Sequence, residues 1–141
     1  EEESIVAATT APRDVSVREV YSRDDLTSYQ ELVRRIPVSS HVISYAVAIA
    51  RATRAGSDAS SDYVRQYVEW GAGPRASQYL VLAGKALAVA DGQRGAVRQA
   101  AQYVLRHRVL PNYNATAEGV SAVNIIDHVL KEISEPSYEG S

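Results

Sequence analysis

Ser77–Ala90 carries a single charge, Lys85, in fourteen residues. A helix that is apolar on nearly every side cannot lie on a wet surface and belongs in the middle of a bundle. Ala76, Ala83, Gly84, Ala86, Ala88 and Ala90 are small, which lets neighbouring helices approach closely. The ends of the segment are marked. Gly73 can serve as N-cap, and Pro74 suits the first helical position, its ring angle pre-set and no N–H left over. Asp91-Gly92 closes the helix with the residue that adopts a left-handed cap most easily.

The flanking sequence supplies partners for such a helix. Glu1–Ala8 opens with three acids where a helix dipole favours them. Ala11–Tyr21, with Pro12 and alternating Val15, Val17 and Val20, reads as an extended connector or short strand. Ser22, Asp24 and Asp25 start a helix that sets Leu26, Tyr29, Val33 and Ile36 on one face until Pro37 ends it. Ser39 or Ser40 caps the next helix, to about Arg54, with Val42, Ala46, Ile49 and Thr53 beside Ile43, Val47 and Ala50 as a wide apolar face. Ala55–Asp62 is polar and small and is expected to be a mobile loop. Tyr63–Trp70 fits a helix or a strand. Ala96–Arg106 turns Val97, Ala100, Ala101, Val104 and Leu105 inward, Leu110–Asn114 reads as a turn, and Ser121 caps a last helix with Ala122, Ile125, Ile126, Val129, Leu130 and Ile133 as its stripe. The expected fold is all-α or mostly α, a bundle of about five to six helices spanning 1–134, followed by a disordered tail, 135–141.

One residue of this plan is oddly placed. Arg75 falls in the first turn of the Pro74 helix, where the dipole mildly repels a cation. An anion held at that helix end would reverse the sign, because free N–H groups and the guanidinium would both point at it. A nucleotide phosphate is the obvious candidate. The plainer alternative is a solvated arginine at a cost of a few tenths of a kcal/mol.

Three ordered stretches resemble one family. Val68-Glu69-Trp70-Gly71-Ala72-Gly73-Pro74-Arg75-Ala76 is similar to the "G-A-S-P-R-A" segment of the MoxR-type AAA+ ATPases. Leu32–Ser39 resembles that family's "VRRVPVS", and Val104-Leu105-Arg106-His107-Arg108-Val109 resembles its "VLRHRL". The resemblance covers about residues 26–110 and implies a C-terminal helical lid of the AAA+ type, which admits a short strand pair, with an extended segment near Trp70. It implies a sensor-2 arginine reaching the terminal phosphates of the nucleotide, and the matching position is Arg75, flanked by Gly73 and Pro74. It also implies ATP and Mg in the parent protein, an ATPase core in the same chain, neighbouring subunits in a ring, with a hexamer expected, a chaperone-like role, and von Willebrand A-domain proteins as partners. Two departures stand out. Gly73 replaces the family's usual serine, so a side-chain cap becomes a backbone one, and Gly92–Val97 replaces a well-capped helix start, so that turn is expected to fray.

No Gly-x-x-x-x-Gly-Lys-Ser/Thr occurs in the sequence, and the single Gly-Lys pair, Gly84-Lys85, lies inside the apolar helix. No β-branched run ends in paired acids to hold magnesium. The stretch therefore reads as a lid and not as an enzyme, with no tightly bound cofactor of its own. The absence of methionine suggests a piece cut from a longer protein or from a tag. With no cysteine there is no thiol chemistry. A net charge of −2 favours neither nucleic acid nor an anionic membrane, and no apolar run approaches a membrane span. A cytoplasmic location is expected.

Other candidate sites are weak. His41, His107 and His128 share no metal-ligand spacing, so no metal site is expected. Asp127 and His128 point about 100° apart on a helix and make no dyad. Arg94, Arg98, Arg106, His107 and Arg108 form the main basic cluster, which reads either as a solvated face or as an interface with the ATPase core or a neighbouring subunit. Thirteen arginines against two lysines suit bidentate recognition of carboxylate or phosphate. A contrasting reading is a free-standing helical module whose apolar grooves bind a partner helix.

Overall fold

A computed structural model describes residues 1–11, 18–92 and 96–136. Most of the connector over 12–17, the turn over 93–95 including Arg94, and the last five residues of the expected tail lie outside the described residues. Among the described residues the elements run α1 (Glu2–Thr10), α2 (Arg23–Arg35), α3 (Ser40–Ala52), α4 (Asp62–Tyr67), β1 (Val68–Trp70), α5 (Pro74–Asp91), α6 (Ala96–Leu105), β2 (Leu110–Pro111), α7 (Tyr113–Ala117) and α8 (Ala122–Glu132). The chain divides into two compact units, Glu1–Gln30 and Glu31–Ser141. The first holds α1 and the start of α2. In it Ser22 and Asp25 exchange bonds, with Ser22 N and Oγ donating to Asp25 Oδ2 at 2.9 and 2.7 Å. These bonds hold the Asp25 carboxyl below its ordinary range.

The second unit contains the core. Its fully buried large side chains include Ile49, Leu80, Leu105, Ile125, Ile126, Val64 and Val129. α5 lies against α3 and α6, and α6 against α8. The inward stripes expected of α6 and α8 are observed, although Ala122 and Ile133 are only half-buried.

α5 departs from the expectation of burial on all sides. Ala76, Leu80 and Gly84, one turn apart, are buried, whereas Tyr79, Ala86, Val89 and Ala90 are exposed and Val81 and Leu82 half-buried. The helix has two close neighbours and not a full ring of them, so its small residues serve one seam. Gly84 sets that seam: a Cβ there would lie 2.7 Å from Val97 Cγ2. The apolar face expected of α3 is likewise split. Ala46, Ile49 and Ala50 enter the core with Tyr45, while Ile43 and Val47 stay exposed, at 45% and 38%. On α2, Leu26 and Tyr29 are exposed and Val33 is half-buried, as is Ile36 just past the helix end.

Tyr63–Trp70 resolves into both structures it could form. Ser61 caps α4, accepting from Val64 N at 3.4 Å, and the chain then extends into β1. β1 pairs antiparallel with β2, Val68 opposite Pro111 and Trp70 opposite Leu110, with a bulge between. The expected turn at Leu110–Asn114 is a strand end and a further helix. Asn112 accepts from Ala115 N at 3.0 Å to cap α7 and donates from Nδ2 to Gln66 O at 2.8 Å. Tyr67, its ring buried, donates from Oη to Glu118 at 2.6 Å, and that bond chiefly raises the phenol pKa. The loop expected to be mobile is closed on itself, since Ser60 is buried and its Oγ donates to Ala55 O and Ser57 O.

Candidate functional site at the first turn of α5

Three residues separate β1 from α5, and the first two are tightly placed. Gly71 passes so close to the end of α3 that a Cβ would lie 2.3 Å from the Thr53 carbonyl oxygen and 2.6 Å from Arg54 Cα. No residue but glycine fits without moving backbone. Ala72 is buried. Its N–H donates to Thr53 Oγ1 at 2.9 Å, and its carbonyl accepts from Arg54 Nε at 2.7 Å. Gly73 is the N-cap, extended at φ −76° and ψ 178°, without a side-chain bond, and Pro74 occupies the first helical turn as expected. Nothing lies within 4 Å of a Cβ built on Gly73, so the serine usual in the resembling family would fit there.

Arg75 follows, exposed. The first turn of α5 contains no acid. Among the described residues no carboxylate pairs with Arg75, whereas Arg35, Arg65 and Arg98 each lie within 4 Å of one. A guanidinium beside a helix N-terminus, both facing solvent, is suited to an anion: the helix end contributes partial positive charge and N–H donors, the arginine a planar fork.

The structure divides the basic cluster. Arg108 stands over the ring of Tyr79, its Cζ 5.0 Å from the centroid. Tyr79 is one helical turn beyond Arg75 on α5, so Arg108 serves the same helix face. Arg108 also contacts the His107 ring and the Val104 carbonyl. Arg98 points elsewhere: it donates to Leu130 O of α8 and lies 3.9 Å from Glu135, the first residue of the expected tail. Arg106 and His107 are exposed. His128 stacks on Tyr63 at 4.2 Å, with Nε2 3.2 Å from Glu132, while Asp127 accepts from Gln102. Among the described residues no three His, Asp or Glu side chains are grouped to hold a metal ion, and no helix is long and apolar enough to cross a membrane.

Two features were not read from the sequence. The Thr53–Arg54 contact with Ala72 joins residues 18 and 19 positions apart, and no local pattern encodes it. A cleft of about 800 Å³ opens beside the same turn, lined by Ile43, Val47, Val81, Leu82 and Pro74 with Arg34, Arg51 and Arg54. Its trace in the sequence is the pair Ile43 and Val47, which gives α3 more apolar surface than one seam can cover.

Comparison with known proteins bears on the fold and the family. Residues 60–129, from the cap of α4 into α8, match the AAA lid domain family. Over 123 residues the chain is 30% identical to Chaperone MoxR1 of Mycobacterium tuberculosis (strain ATCC 25618 / H37Rv), covering 84% of this chain and 33% of that protein. The crystal structure of a "putative ATPase" from Cytophaga hutchinsonii ATCC 33406 shares the fold, with a TM-score of 0.75 at 23% identity over 96% of this chain and 43% of that one. The chain thus spans about a third of the curated relative it matches. The family match, the relative and the mostly helical architecture with its short strand pair lead to one assignment: the chain belongs to the AAA lid domains, of the kind found in MoxR-type AAA+ ATPases.

Proposed function

We propose that this lid supplies Arg75 as the contact to the terminal phosphates of ATP held, with Mg, by an ATPase core in the parent protein. The observation that carries the reading is the exposed, carboxylate-free guanidinium in the first turn of α5. The residues fit an anion, since Gly73 and Pro74 leave the helix end open and Arg75 provides the charge. Bound ATP would supply the phosphoryl chemistry; the lid's share is electrostatic, stabilising charge on the γ-phosphate. Movement of the lid with nucleotide state would then couple the site to the geometry of a ring of subunits, a hexamer in this reading, in the cytoplasm. Arg98, Arg106, His107 and Arg108 are assigned to contacts with the core or a neighbouring subunit, Arg108 being the one beside the face of Arg75. The chaperone named among the relatives supports an output in maturation of partner complexes, with von Willebrand A-domain proteins as proposed partners.

The test is ATP hydrolysis by the full-length parent, wild type against Arg75→Ala, with nucleotide affinity measured alongside. A fall of about tenfold or more in turnover, corresponding to roughly 1.4 kcal/mol or more, is expected. Unchanged turnover and affinity would sink the assignment. They would favour the second reading, an interaction module, for which the apolar cleft along Ile43 and Val47 is the supporting observation.

A further inference from the structure

Arg75 can act on a phosphate only if the first turn of α5 is aimed, and the means of aiming it lie outside α5. The helix has no side-chain cap. The backbone just before it is held at Ala72, whose N–H and C=O are both taken by consecutive side chains at the end of α3. Thr53 is fully buried, and its hydroxyl proton is committed to Ala50 O at 2.7 Å, so its oxygen meets Ala72 as an acceptor. Arg54 donates from Nε, the atom nearest its stem. Gly71 lets the strand come close enough for both bonds to form. Two bonds on one residue, one to each side of its Cα, fix the orientation of the peptide planes there. The start of α5 follows one residue later, so the direction of the helix end is inherited from α3.

We propose that Thr53 and Arg54 are positioning residues for Arg75, clamping Ala72 so that the guanidinium and the open helix end face the same anion. The inference rests on the reading of Arg75 given above. It assigns a role to two residues remote in sequence from the motif that carries the family resemblance.

The experiment is steady-state hydrolysis of Mg-ATP by the full-length parent, measuring kcat and KM for Thr53→Val and Arg54→Ala, each with Arg75 intact and with Arg75→Ala. Each variant is expected to lower kcat/KM at least fivefold when Arg75 is present and less than twofold when Arg75 is already gone. Thr53→Ser, which keeps the hydroxyl, should remain within twofold of wild type. Equal losses in both backgrounds would overturn the proposal, because a general loss of folded protein or a direct contact of Arg54 with nucleotide acts without Arg75. So would the absence of any loss. Should Arg54→Ala fail to fold, the Thr53 valine and serine pair decides alone. A neutral Arg75→Ala would remove the reading of Arg75 itself, whereas a damaging Arg75→Ala with neutral clamp variants removes only the clamp.

Discussion

α5 and α8 begin in opposite ways. Ser121 starts α8 with its own neighbourhood: its Oγ accepts from Asn124 N at 3.2 Å, and Asn124 Oδ1 accepts from Ser121 N at 2.9 Å. That capping box uses residues three apart and satisfies the free donors of the helix end locally. α5 has glycine where α8 has serine, and its start is set by Thr53 and Arg54 acting on Ala72. The local cap of α8 takes the N–H of Asn124. The clamp lies before the first turn of α5 and fixes direction without a side-chain acceptor in that turn, where Pro74 has no N–H and Ala76 N donates to Gly73 O at 2.9 Å. The first arrangement suits a helix whose task is to bury Ile125, Ile126, Val129 and Leu130; the second suits a helix end that meets an anion.

The most severe way to break the comparison is Gly71→Ala. Its Cβ would meet backbone atoms of Thr53 and Arg54, which cannot rotate away as a side-chain tip can. Overpacking of this kind costs about 3 kcal/mol, read as a lower urea midpoint at unchanged slope. A loss below about 1 kcal/mol would mean that the strand and α3 separate freely, and the long-range start of α5 would lose its support. The capped end is expected to be more forgiving. Ser121→Ala removes the Oγ arm of the box at an exposed position, leaving Asn124 Oδ1 on the backbone N–H of residue 121, and should cost about 1 kcal/mol, without any effect on nucleotide chemistry in the parent.

The same contrast explains what could be read from the sequence. Ser39 and Ser121 were recognisable as caps because a cap and its recipient are three residues apart. The inward stripes of α6 and α8 were legible by periodicity, and Pro74 with Arg75 by position in a helix start. The clamp was not legible, since its two bonds span 18 and 19 residues and Thr53 reads as one more position on the α3 face. The helix α7 was hidden because its five residues are too few to show an apolar period, although its cap Asn112 also stands three residues from its recipient Ala115. The cleft was missed because apolar periodicity marks which residues could be covered and not whether a partner exists to cover them. Ile43 and Val47 carry the same signal as Ile49, and only Ile49 has neighbours on that side.

Gly73→Ser carries the smallest effect and separates the two kinds of helix start most cleanly. There is open space around a Cβ at Gly73, and its extended φ and ψ suit any residue. A serine there adds a side-chain acceptor to a first turn that now has none, and relative to glycine an N-cap serine gains only a few tenths of a kcal/mol. The expected result is a rise in Tm of about 1 °C. Turnover in the parent should persist, because Arg75 and the clamp on Ala72 are untouched. If the variant instead lost about 1 kcal/mol, the space at Gly73 would be smaller than the structure indicates. If turnover fell while stability rose, the serine would be competing for the N–H groups that an anion needs, and the helix end itself, beyond the arginine it carries, would be part of the nucleotide contact.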